Sequence, residues 1–320
     1  MRYRSLGRTG LRVSEIGFGA WGIGGDAGGA VAYGPADKTE SLRALSTALD
    51  HGVTFYDTSD FYGHGRSEEL IGEAFAGRRA EVVIASKAGL LGDGTKTDFS
   101  GAHLRDALEA SLKRLRTDYV DLYQLHSPPP EALDDEAIRA LDLFKQEGKI
   151  RAYGLSARSP EEGRSAIERF GFPAVQANFN LIDSRAVDCG LLDLAAREDV
   201  GIVARTPLSF GFLTGRYEAN GSFHEKDHRR RWSHEQRALW AEAPELFRKL
   251  MEKTPNQTAA QFALRYCLSH ASVSSAIPGM LNAAQVEENA AAGDFPPLGE
   301  DELRRVAEIC SRSNFFAGKR

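Results

Sequence analysis

Eight short runs rich in β-branched and aromatic residues alternate with longer stretches of helical period along the 320-residue chain. The runs are SEIGF (14–18), VTFYD (53–57), EVVIASK (81–87), YVDLYQLH (119–126), IRAYGLS (150–156), PAVQAN (173–178), VGIVAR (200–205) and VSSAIP (273–278). Strand-helix alternation asks for a parallel sheet, and eight such units suit a closed barrel better than an open doubly wound sheet of five or six strands. The clearest intervening helix is 101–115, where Leu104, Leu108, Leu112 and Leu115 recur on one face. The expected fold is therefore α/β, a (β/α)8 TIM barrel. YRSLGRTGLRVS before the first unit predicts an N-terminal β-hairpin that plugs the barrel, and extra helices near 234–252 and 300–311 are expected outside it. No linker or low-complexity tract interrupts the order, so residues 1–320 read as a single domain.

Two local motifs invite other readings. GFGAWG (17–22) matches the G-x-G-x-x-G dinucleotide fingerprint, but that loop must pass directly from strand to helix so that the helix N-terminus meets the phosphates. Here further glycines and a proline follow before any helical period begins, and the glycines read as a flexible loop that brings Trp21 to the barrel mouth. HEKDH (224–228) matches the zinc-protease pattern H-E-x-x-H, yet it lacks an apolar helical flank and reads as a solvated loop within the long 209–258 connection.

In a parallel barrel, chemistry gathers at the C-terminal ends of the strands. The runs close on Asp57, Lys87, His126, Ser156 and Arg205, with Gln176 inside the sixth. Alternation along a strand puts Asp57 on the face of Val53 and Phe55, and Lys87 on that of Val83 and Ala85, so each charge stands above an apolar interior. Tyr62, five residues beyond Asp57, can fold back over the mouth. No Ser or Cys nucleophile stands beside a base there, and no carboxylate cluster or cysteine pair suggests a metal; Cys189, Cys267 and Cys310 are too scattered for a disulfide frame.

A phenol beside an ammonium is a proton donor. At about 4 Å and an effective dielectric near 20, the ammonium contributes roughly 4 kcal/mol, about three pKa units, and is expected to pull Tyr62 toward neutrality. Asp57 would hold Lys87 charged, and a neutral His126 would orient a carbonyl oxygen near the phenol. A carbonyl so held is ready for hydride.

TFYDTSDFYGHGRSEELIG (54–72), VIASKAG (83–89) and YVDLYQLHSP (119–128) together resemble the aldo-keto reductases, a likeness that extends from RSLGRTGLRVSEIGFGAWG through PLSFGFLTGRY to IPGMLNAAQVEEN. The resemblance implies a (β/α)8 barrel that reduces aldehydes or ketones reversibly with NADPH, with NADH possible, bound without a Rossmann fold. It implies catalytic roles for Asp57, Tyr62, Lys87 and His126. Ser156 and Gln176 match positions that hold the nicotinamide, Leu208, Ser209 and Gly211 the pyrophosphate loop, and Gly279, Gln285 and Asn289 the adenosine end. Trp21 resembles a substrate-pocket wall, to which Phe61 and Phe99 are candidates. The sequence departs from the family at Ala157, where an asparagine is common, at Arg205, where an aromatic often stacks on the nicotinamide, and at Leu281, where NADPH-preferring members carry Arg or Lys. Relatives that serve as potassium-channel β subunits give the competing reading, a cofactor-binding regulatory protein with little turnover.

A net charge of −5 gives no basic field for nucleic acid. Neither an apolar leader nor eighteen consecutive apolar residues occurs, so a cytoplasmic protein with a small-molecule carbonyl substrate and no membrane partner is expected; the sequence is silent on oligomeric partners.

Overall fold

The computed structural model describes residues 1–26 and 32–318. The chain opens on an antiparallel hairpin, β1 (Tyr3–Ser5) and β2 (Arg12–Ser14), as expected. The barrel strands β3 (Phe18–Gly19), β4 (Phe55–Asp57) and β5 (Val83–Ala88) follow, then a minor hairpin of β6 (Leu90–Leu91) and β7 (Lys96–Thr97). The barrel continues with β8 (Val120–His126), β9 (Ile150–Ser156), β10 (Ala174–Asn178), β11 (Gly201–Arg205) and β12 (Val273–Ile277). All neighbouring pairs of barrel strands are parallel. Bridges Ile16↔Ala276 and Gly19↔Gly279 close the ring, and the chain is a (β/α)8 barrel.

The first expected strand, 14–18, is displaced in the structure. Ser14 ends the hairpin instead, and β3 pairs with β4 only at Phe18 and Gly19. Helix Gly101–Leu115 has the expected bounds and buries Leu104, Leu108, Leu112 and Leu115. Six helices around the barrel begin on side-chain caps. Asp37, Ser100, Asp134, Ser159, Thr258 and Asn282 each accept the amide three residues on, which satisfies a donor the helix leaves free. The expected helix 234–252 is two pieces, His234–Leu246 and Arg248–Met251; Pro244 lacks the N–H needed to continue the ladder. Helix Glu300–Arg312 covers the outside as anticipated.

Two cores result. The larger lies between strands and helices. The smaller fills the barrel with Phe55, Ala85, Leu122, Ala152, Ala174, Val203 and Ile277, and from the hairpin come Leu6, Leu11 and Val13 to plug its base. Gly7 makes that plug possible, since at φ +47° a Cβ would lie 2.2 Å from the Gly201 nitrogen. Two residues up five of these strands from the apolar layer, polar side chains replace it, while glycines follow Ala152 and Ile277.

Candidate active site

That polar layer is Asp57 above Phe55, Lys87 above Ala85, Gln124 above Leu122, Gln176 above Ala174 and Arg205 above Val203. The strand period of two therefore places the groups, and the parallel register aligns Lys87 with Gln124 and His126 with Ser156. Asp57, His126, Gln176 and Arg205 among them line a cavity of about 690 Å3.

Lys87 is fully buried. Its Nζ donates to Asp57 Oδ1 at 2.6 Å, to the Thr58 carbonyl at 2.8 Å and to the Tyr62 hydroxyl at 3.2 Å. Those three bonds use every ammonium hydrogen, so the phenol must accept from lysine and keeps its own proton for the cavity. The second oxygen of Asp57 accepts from Gln124 Nε2 at 3.2 Å and Gln176 Nε2 at 2.7 Å. Burial alone would push the lysine pKa down, but Asp57 and Tyr62 outweigh it, and the amine stands above its ordinary value.

The electrostatic expectation for Tyr62 fails in sign. Burial pushes its phenol up, Lys87 pulls it down and Asp57 opposes the lysine, leaving it above the ordinary phenol value. An ammonium already neutralised by a carboxylate at 2.6 Å cannot offset desolvation. Tyr62 is thus firmly protonated at neutral pH. Burial, then the charges of Lys87 and Arg205, hold His126 well below the usual imidazole range, so its ring is neutral, as expected. The Tyr62 and His126 rings meet edge to face at 5.8 Å between centroids.

Ser156 Oγ donates to Gln176 Oε1 at 3.3 Å and accepts from Arg205 Nη1 at 3.2 Å, while Arg205 Nε donates to Asn178 Oδ1 at 2.7 Å. Gln176, Arg205, Leu208, Gly211, Gly279, Leu281, Gln285 and Asn289 line the cavity together with Trp21, Phe61, Tyr62 and His126. Ser156 and Ser209 are buried behind the wall. Gln285 also accepts from the Leu281 amide at 2.8 Å, closing the turn that starts helix Ala283–Ala290. Phe99 packs over Gly89 in the outer core, away from the cavity that Phe61 lines.

The glycine fingerprint has a packing reason: a Cβ on Gly17 would lie 2.8 Å from the Phe55 ring, and one on Gly19 2.7 Å from the Ile277 carbonyl oxygen. After β3 comes a tight turn at Gly22–Gly24, and the first helix, Lys38–Asp50, starts only later. A Cβ on Gly63, at φ +61°, would lie 2.3 Å from the Gly24 carbonyl oxygen, so this loop clamps the turn that carries Tyr62. HEKDH requires correction. His224, Glu225 and Lys226 are exposed, but Asp227, His228 and Arg229 are buried. His228 packs on Trp21 at 4.5 Å and on Tyr33, Phe210 and Trp232, and its Nδ1 lies 2.9 Å from the Ala32 carbonyl. Arg229 pairs with Asp227 at 2.6 Å under the rings of Tyr33, Tyr217 and Phe223. Among the described residues no group of three or more His, Cys, Asp or Glu is placed to hold a metal, and no helix is long and apolar enough to cross a membrane. Among the described residues Cys189, Cys267 and Cys310 form no disulfide.

Sequence reasoning missed Gln124, Asn178, Tyr33, Phe210, His228 and Trp232. Strand parity signals the first two, each two residues from a residue already singled out; the others come from loops without a period.

The aldo/keto reductase family model matches residues 15–311. The uncharacterized oxidoreductase YqkF of Bacillus subtilis is 33% identical over 315 residues, covering 96% of this chain and 95% of its own. A probable voltage-gated potassium channel β subunit of Arabidopsis thaliana is 32% identical over 93% of each chain. The solved glycerol dehydrogenase of Gluconobacter oxydans matches with a TM-score of 0.81 at 30% identity, covering 99% of this chain and 97% of that one. With the barrel, the buried lysine and these matches in agreement, the chain belongs to the aldo/keto reductase family.

Proposed function

We propose that this protein, working as a single barrel domain, is an NAD(P)H-dependent reductase of small aldehydes or ketones, reversible toward alcohol oxidation. The observation that carries the reading is the ammonium of Lys87, bonded at once to Asp57 and to a protonated Tyr62 at the cavity wall. The nicotinamide, when bound, supplies a hydride to the carbonyl carbon. Tyr62 delivers its proton to the carbonyl oxygen, and Lys87 stays hydrogen-bonded to the phenolate left behind until solvent restores the proton. Asp57 keeps that lysine charged, while the neutral His126 ring holds the carbonyl oxygen beside the phenol.

The donor set suits a dinucleotide. Gln176, Asn178 and Arg205 offer amide and guanidinium groups for the carboxamide end, and the cavity continues past Leu208 and Gly211 to Gly279, Gln285 and Asn289. Leu281 on that wall cannot pair with a 2′-phosphate, so NADH is included beside NADPH. Trp21 and Phe61 form the substrate side.

The test is Tyr62→Phe, assayed for carbonyl-dependent oxidation of NADPH and of NADH with a panel of aldehydes and ketones. We expect kcat to fall by at least about a hundredfold, the scale of one general acid, with cofactor affinity nearly unchanged. Unaltered turnover would remove the mechanism. No turnover in the parent protein, with cofactor still binding, would favour the regulatory role that the channel β-subunit relative suggests.

A further inference from the structure

Ser59 stands between the His126 ring and a part-buried carboxyl. Its Oγ lies 3.0 Å from His126 Nδ1, 3.1 Å from Asp60 Oδ1 and 3.3 Å from the Lys87 carbonyl, and it accepts from the Phe61 amide at 3.0 Å. One hydroxyl proton serves one of these three acceptors at a time. Given to His126 Nδ1, it forces the ring's single hydrogen onto Nε2. Given to Asp60, it leaves Nδ1 to donate to Oγ, whose remaining lone pair is free for it, and Nε2 carries a bare lone pair. Only the first arrangement can donate to a carbonyl oxygen. Because that ring is neutral, the choice is between two tautomers of equal charge.

We propose that Ser59 and Asp60 act as positioning residues that set the tautomer of His126. With Asp60 protonated, Ser59 donates to Nδ1 and Nε2 bears the hydrogen; with Asp60 ionised, the hydroxyl turns to the carboxylate and Nε2 loses it. A charged acceptor takes a hydroxyl proton in preference to a neutral one, by at least about fivefold in population.

Asp60 is well placed to change state. Burial, then the facing carboxylate of Glu68 on helix Arg66–Ala74, push its carboxyl up to about 7 against the pull of Ser59 and of Arg114 from helix Gly101–Leu115. Tyr123 of β8 also faces it, and the Asp60 amide donates to the Lys87 carbonyl at 3.2 Å. Lys87 and Arg205 are the charges that face His126. The proposal rests on the carbonyl-orienting role given to His126, but the tautomer is measurable without turnover.

The test uses the full chain labelled with 15N-histidine, with the ring signals of His126 assigned by loss in His126→Asn and read between pH 6 and 8.5. In the parent protein the ratio of Nε2–H to Nδ1–H should fall at least fivefold across that range. Asp60→Asn should hold the ring as Nε2–H throughout, and Ser59→Ala should abolish the pH response, while Ser59→Thr restores it. In parallel, kcat for carbonyl reduction at pH 8.5, relative to pH 6, should be higher in Asp60→Asn than in the parent, with KM for cofactor unmoved. A His126 tautomer that does not respond to pH in the parent, or that still responds as in the parent in Asp60→Asn or in Ser59→Ala, overturns the proposal. If the tautomer switches as stated but turnover is indifferent to it, the role assigned to His126 fails instead.

Discussion

Replacing Asp57 by Asn tests the electrostatics of the site most directly, because the two side chains share a shape and differ in charge. All three partners of the carboxylate are N–H donors: Lys87, Gln124 and Gln176. An asparagine amide must therefore turn its own N–H2 toward at least one donor, and Lys87 keeps only the Thr58 carbonyl and the phenol. Breaking a buried ion pair costs about 3–5 kcal/mol, and the retained amide oxygen places this variant near 3 kcal/mol. The cost has a ceiling. A buried lysine can shed its proton, which at pH 7 takes about 4.6 kcal/mol from an ordinary value of about 10.4, and the ceiling drops by about 1.4 kcal/mol for each pH unit. The parent behaves differently. Its Lys87 stands above the ordinary value, so the stability it lends is fully present below about pH 10.4 and is lost only above it. The deficit of Asp57→Asn should thus shrink from about 3 kcal/mol at pH 7, roughly 4 °C in Tm, to about 1 kcal/mol at pH 9.5. Paired thermal and urea melts over that range measure it. A melting point within 1 °C of the parent at pH 7, or a deficit that stays constant or grows with pH, would refute the reasoning.

Burial pushes the His228 imidazole down to about 4, so the folded state resists a proton that the unfolded chain takes up below about 6.5. Stability should fall as pH drops from 6.5 to 4, by up to about 3 kcal/mol from this group, and His228→Phe should flatten that limb of the urea-denaturation profile; an unchanged slope would contradict the burial argument. At Gly63 a Cβ meets the Gly24 carbonyl, whereas at Gly77, also left-handed at φ +79°, it meets nothing within 4 Å. Gly63→Ala should cost at least about 2 kcal/mol and lower kcat/KM at least tenfold by shifting Tyr62, while Gly77→Ala costs about 1 kcal/mol and leaves kcat/KM alone. Equal effects of the two substitutions would show that the clamp on the Tyr62 turn does nothing.

The strand ends were legible because a period of two is a property of the backbone. Knowing that Phe55 and Ala85 face inward is enough to lift Asp57 and Lys87 into one layer, and the same count reaches Gln124 and Asn178. Helix 101–115 was legible for the same reason, its leucines repeating with the helical turn and its start marked by Ser100. The cavity wall was not. Tyr33, Phe210, His228 and Trp232 come from three separate stretches of loop, and their meeting around Trp21 depends on how the 209–258 connection folds back over the barrel mouth. HEKDH, read as solvated, is half buried for that reason.

Local repetition along the chain determined the architecture and the ring of groups at the strand ends, because pleat and helical turn are written in neighbouring residues, and the motifs at 54–72, 83–89 and 119–128 carried the family. Tertiary structure alone decided the protonation of that ring. The sign of the Tyr62 shift depends on desolvation and on how completely Asp57 cancels Lys87, and the placement of the Ser59 proton depends on acceptors from three segments. These are balances of distance and burial between parts of the chain far apart in sequence, where an ångström or one excluded water changes which term is larger.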